Sequence, residues 1–110
     1  MGRVFQVVLT DVAERDLKAI VEYIGHSDGV PAALLVLDKL TEATRRLIHD
    51  PERGGHPREL LTLGNKDYRQ IFSKPYRIIY RIVDRHVIVY LIADGRRDMR
   101  TLLARRLLGA

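Results

Sequence analysis

Six arginines, Arg69, Arg77, Arg81, Arg96, Arg97 and Arg100, are the residues of this chain best suited to chemistry. A guanidinium presents a planar fork of donors that matches a phosphodiester, and several together would stabilise the added charge of a phosphoryl transition state. Binding is half of such a reaction. Cleaving RNA also needs a base for the 2′-hydroxyl and an acid for the leaving oxygen, supplied by His, Glu, Tyr or a Lys of lowered pKa. The nearest groups of those types are Tyr68 and Lys66, and each has an ordinary structural explanation. A histidine, glutamate or tyrosine against the clustered guanidiniums, in a cleft sized for a ribose phosphate, would be the mark of a nuclease.

Other chemistry is excluded more simply. The serines, Ser27 and Ser73, fall in predicted turns and outside any nucleophile-elbow pattern. His26, His49, His56 and His86 lack metal-ligand spacing, and without cysteine neither a structural zinc site nor a disulfide framework is expected. Gly54, Gly55 and Gly64 do not form a phosphate-cradling loop after a strand, so no nucleotide cofactor is implied.

The arginines are positioned by the stretch Lys66 to Asp98. Its β-branched and aromatic runs are separated by Ser73-Lys74-Pro75 and by Asp84-Arg85, which predicts a three-stranded meander with one longer and one tight hairpin. A period of two puts Tyr76, Ile78, Tyr80 and Ile82 on one face, and Arg77, Ile79, Arg81 and Val83 on the other. His86 to Ala93 is apolar on both faces (Val87, Val89, Leu91; Ile88, Tyr90, Ile92), the pattern of a central strand.

Upstream, Val4 to Leu9 predicts a first strand, and Asp11 with Glu14 a capping box for a helix from Val12 to Ile24 that stops near Gly25. After a loop over His26 to Gly29, Pro31 fits the first turn of a second helix. Leu34, Leu37, Leu40 or Thr41, Thr44, Leu47 and Ile48 form its predicted buried stripe, and Asp50-Pro51 ends it. Glu52 to Lys66 reads as a glycine-rich loop pinned by Leu60, Leu61 and Leu63, and Asp98 caps a last helix carrying Met99, Leu102, Leu103 and Leu107. The expectation is one α+β domain over residues 1–110, a helical hairpin on a small, mostly antiparallel sheet in the order β-α-α-β-β-β-α. If the terminal helix does not reach across the far face of the sheet, an apolar patch edged by arginines is left, which marks a partner site.

The chain of 110 residues carries a net charge of +5, and the excess is segregated. From Lys66 onward there are 11 Lys/Arg against 4 Asp/Glu, whereas the preceding residues hold 8 against 10. Such a field steers anionic partners, whether nucleic acid or acidic polypeptide. The longest apolar run falls far short of the roughly 20 residues that span a bilayer, and no signal peptide is visible, so a cytoplasmic, membrane-free protein is expected.

The string DYRQIFSKPYRIIYRIVDRHVIVYLIADGRRD, with the upstream helix DVAERDLKAIVEYI, resembles the ParE/RelE superfamily of bacterial type II toxin–antitoxin toxins over almost the whole chain. The most specific parts are the YRIIYRI strand and Gly95-Arg96-Arg97-Asp98. The resemblance implies the RelE/ParE-like fold, a small cytoplasmic toxin, and a ParD-like antitoxin that orders as it wraps the toxin. A homodimer is a further option. Candidate antitoxin contacts are then Ile79, Val83, Val87, Val89 and Leu91, and the six arginines become candidate contacts to an anionic partner or target.

RelE-like relatives are ribosome-dependent mRNA endonucleases. In that pattern Arg69 stands at the first strand lysine, Arg77 at the meander arginine and Arg97 at the arginine after the last strand. The second lysine position is Ile71, and the terminal tyrosine position is Leu103. ParE-like relatives keep the GRRD ending, lack the nuclease set and poison DNA gyrase. The resemblance therefore favours a ParE-like, non-catalytic gyrase inhibitor, with the mRNA endonuclease as the alternative.

Overall fold

The computed structural model describes residues 3–109. The elements are β1 (Gln6–Leu9), α1 (Asp11–Asp28), α2 (Val30–Arg45), a one-turn α3 (Arg58–Leu61), β2 (Arg69–Ser73), β3 (Tyr76–Val83), β4 (His86–Asp94) and α4 (Met99–Leu107), with 3-10 turns at Arg46–Ile48 and Pro51–Arg53. The strands form one sheet in the order β1-β4-β3-β2, with β1 parallel to β4 and the other pairs antiparallel. The expected α+β architecture and element order are present, and β4 lies inside the sheet.

Local chemistry sets the helix boundaries. Thr10, not Asp11, is the N-cap of α1: its Oγ1 accepts the Ala13 N–H at 3.1 Å. The helix does not stop at Gly25 but continues to Asp28, leaving Gly29, at φ +95°, as the joint to α2. Gly25 lies within α1 beside Ala33 of α2. The α2 stripe is Ala33, Val36, Leu40, Ala43 and, in the following turn, Leu47. Leu40 and Leu47 of the predicted stripe are buried, whereas Leu34 is 54% exposed and Thr41 is exposed. Of the three leucines expected to pin the loop, only Leu60 is buried; Leu61 and Leu63 are exposed.

Both hairpins have two-residue links, Lys74-Pro75 and Asp84-Arg85. The face carrying Ile78 and Tyr80 packs under the helical hairpin as expected, with Tyr76 and Ile82 beside it. β4 departs from simple alternation. Tyr80 pairs with Val89 and Ile79 with Leu91, which leaves Tyr90 without a partner, a β-bulge. The extra residue reverses the parity, so Val87, Val89 and Ile92 share the hairpin side while Leu91 and Ala93 join Ile79 on the other.

That other side is not open. Leu60 from α3 and Met99, Leu102 and Leu103 from α4 build a second core over Tyr68, Ile79 and Leu91. The expected apolar patch is filled by the protein's own terminal helix.

β1 pairs with β4 only as far as Val89, whose carbonyl takes the Thr10 N–H at 3.0 Å. Beyond it the β4 edge is closed by side chains. Asp16 Oδ2 accepts the Ile92 N–H at 3.1 Å, and Arg106 Nη2 donates to the Tyr90 carbonyl at 3.2 Å. The two side chains also pair with each other through both guanidinium nitrogens, at 3.1 and 2.8 Å. Both are largely buried, so losing one partner strands a charge and a backbone donor. Asp16→Ala is expected to lower stability by about 3 kcal/mol in urea unfolding. Adding Arg106→Ala should cost less than the two single losses combined, and strict additivity would show that the pair does not act as a unit.

Candidate functional site

The arginines singled out by sequence are divided among three places. Arg77 and Arg81 lie on one face of β3, but four residues of strand separate them by about 13 Å. Arg81 stacks over the Tyr68 ring at 5.4 Å, and Tyr68 meets Tyr90 edge to face at 5.5 Å. Arg69 donates from Nη1 to the carbonyls of Gly54 and Glu52, at 2.8 and 3.3 Å, and so ties the preceding loop to β2. Arg69 and Arg81 border a cleft of about 370 Å³ with Glu52, His56, Lys66 and Asp67.

Arg77 is the buried one, 8% exposed. Its Nη1 and Nη2 donate to the two Glu59 oxygens at 2.8 and 2.9 Å, and its Nε donates to Gln70 Oε1 at 2.8 Å. The Arg77 hydrogen bonds hold the Glu59 carboxyl below its ordinary range, against the opposing effect of burial. Gly95 suits this arrangement: a Cβ there would lie 3.0 Å from Arg77 Cδ and 3.1 Å from Cγ, and the Arg77 side chain would have to shift. A second cleft, about 630 Å³, lies over this group and is lined by His56, Arg58, Phe72, Lys74 and Pro75 as well as Glu59, Gln70 and Arg77.

Arg96 and Arg97 rim a third cleft of about 550 Å³ between α1 and the end of β4, with Ile20, Tyr23, Tyr76 and Ile92 on its walls. Asp94 accepts from Arg96 Nε and Nη2 at 2.9 and 2.6 Å, which brings its own carboxyl down to about 2. Arg97 and Arg100 are exposed, and among the described residues neither guanidinium has a hydrogen-bond or salt-bridge partner.

The six arginines therefore do not form one cluster. Arg69 and Arg81 share one cleft, Arg96 and Arg97 another, Arg77 is internally neutralised, and Arg100 stands apart on α4. Of the apolar residues expected to meet an antitoxin, Val87 and Val89 are buried beneath the helical hairpin, and Ile79 and Leu91 beneath α3 and α4. Val83, at 37% exposure, is the one that reaches the surface. The physical reason is twofold: the bulge turns half of β4 over, and α4 covers the face left to it.

Sequence reading missed His56, Glu59 and Gln70. His56 Nδ1 donates to the Tyr68 carbonyl at 2.9 Å, which fixes the ring against the start of β2. The signal was Pro57 at the start of a turn with Leu60 buried one turn on, which carries Glu59 to the meander. Burial pushes the Tyr80 hydroxyl pKa up, and the group is engaged with the Pro51 carbonyl and the Gly54 N–H at 2.6 and 3.2 Å, so it anchors the loop rather than moving protons.

Because the folded Glu59 pKa is depressed, the pair's contribution is complete above the ordinary glutamate range and fades as pH falls toward the depressed value. Glu59→Gln should cost about 2 kcal/mol at neutral pH and flatten that part of the acid limb in pH-dependent denaturation. An unchanged acid limb would show the pair to be energetically idle. Arg97→Ala should leave the melting temperature unmoved, since an exposed arginine contributes little to stability.

The profile of the family described as ParE toxin of type II toxin-antitoxin system, parDE, matches residues 7–99. Among curated proteins no significant sequence match is found. The chain is similar in fold to a chain of the chromosomal ParDE system from P. aeruginosa, with TM-score 0.70 and 20% identity over 83% of this chain and 96% of that one. A chain of the RelBE2 toxin-antitoxin complex of Mycobacterium tuberculosis gives TM-score 0.58 and 22% identity over 83% and 98%. Free E. coli RelE carrying two arginine-to-alanine changes gives 0.64 and 14% over 94% and 98%. The last three likenesses speak for the fold, and the profile, spanning most of the chain, speaks for descent. The chain belongs to the ParE toxin family of type II toxin-antitoxin systems.

Proposed function

We propose that the protein is a cytoplasmic toxin that inhibits DNA gyrase by binding rather than by cleaving nucleic acid, and that a cognate ParD-like antitoxin neutralises it. The observation that carries this reading is the state of Arg77. The guanidinium at the meander-arginine position of the nuclease pattern is already engaged on all three nitrogens by Glu59 and Gln70, and the carboxylate beside it has a lowered pKa unsuited to a general base. The two positions at which the nuclease pattern departs agree with this. Ile71 and Leu103 are core residues, 9% and 0% exposed, on opposite sides of the sheet.

One observation favours an endoribonuclease as the second reading. His56 and Lys74 border the same cleft as Arg77, and the glutamate contact set out above as the mark of a nuclease is present there. What weighs against it is that this glutamate consumes the guanidinium instead of working beside it.

Purified toxin with gyrase and relaxed plasmid should block supercoiling or accumulate linear DNA at micromolar concentration, with His56→Ala fully active. Primer extension on translated mRNA should show no new breaks. Unchanged supercoiling, together with mRNA breaks that disappear in His56→Ala, would replace the gyrase reading with the nuclease one.

A further inference from the structure

Strand β2 is one edge of the sheet, and its outward backbone is covered only in part. The Gln70 N–H points away from β3 and is taken by the Gly55 carbonyl at 2.8 Å. Alternation then turns the Phe72 N–H and carbonyl outward too, and among the described residues the Phe72 N–H has no partner. Its ring is 59% exposed.

A cleft lies on each side of this edge. Toward the helical hairpin, Arg46 and Arg53 line a space of about 330 Å³ with Ile71 and Phe72; on the other side stand Arg58 and Lys74. Among the described residues none of these four cations has a salt-bridge partner, and the one carboxylate in either cleft, Glu59, is held by Arg77. An edge so charged repels a second copy of itself and attracts an anionic strand.

We propose that the β2 edge at Phe72 takes up an extended acidic segment of a partner polypeptide as a fifth strand, its alternate side chains entering the two flanking clefts. Backbone pairing to Phe72 sets register, the exposed ring packs on an apolar side chain of the guest, and carboxylates meet Arg53 on one face and Arg58 and Lys74 on the other. This deepens the partner half of the reading above and does not depend on the gyrase half.

The test uses ¹⁵N-labelled protein and three probes: a peptide alternating Glu with Val and Ile, the same peptide with Lys for Glu, and an oligouridylate. Saturating acidic peptide should slow Phe72 amide exchange roughly tenfold or more, and the lysine peptide should not. Phe72→Pro removes both the outward donor and the exposed ring on an edge strand, so the fold should persist while affinity falls at least about tenfold. Should that variant misfold, Arg53→Glu with Lys74→Glu should give the same loss, because both side chains are unpaired. The proposal is overturned if the acidic peptide leaves the Phe72 amide unprotected, if the oligouridylate protects it in preference, or if protection rises with protein concentration alone. Any of these outcomes leaves the supercoiling assay, run on toxin without partner, unaffected.

Discussion

A buried strand longer than its neighbour is the constraint from which this structure follows. β4 is covered on both faces, yet β1 pairs with only its first half, so the polar groups of the second half have to be satisfied where water is scarce. The bulge at Tyr90 and the Asp16–Arg106 pair solve this together. A carboxylate from α1 takes the Ile92 N–H, a guanidinium from α4 reaches the Tyr90 carbonyl, and each neutralises the other. Two helices from opposite ends of the chain are thereby fixed to one strand.

The same use of charge recurs across the molecule. Arg69 holds the Gly54 loop, Arg77 holds α3 through Glu59, and Arg81 covers Tyr68. Guanidiniums here act as ties between elements as much as surface potential. Among the described residues the cations without a salt bridge include Arg46, Arg53, Arg58 and Lys74 beside β2, none of which draws the eye in the sequence. A strand arginine whose partners lie 7 and 18 residues away gives no local sign of being occupied.

Periodicity explains what could be read in advance. The alternation of Tyr76 to Ile82, the turn residues between the strands and the Asp98 cap are local signals, and each led to the right element. The bulge leaves no such trace, because Tyr90 suits a paired position as well as an unpaired one; once it was missed, Leu91 and Ile92 were assigned to the wrong faces. Leu34 misled for a related reason: leucine suits the exposed start of α2 nearly as well as its core stripe. Whether α4 reaches over Ile79 and Leu91 depends on packing between distant segments, which spacing alone does not encode.

The Asp16–Arg106 tie joins residues 90 positions apart. During synthesis at the ribosome, therefore, the first helix is made long before the side chain that completes its anchorage. A nascent chain stays unfinished at its sheet edge until the C-terminal helix clears the exit tunnel, and prematurely terminated copies lack the contact that closes the fold. For this member of the ParE toxin family, the contact that closes the sheet edge is among the last to be made.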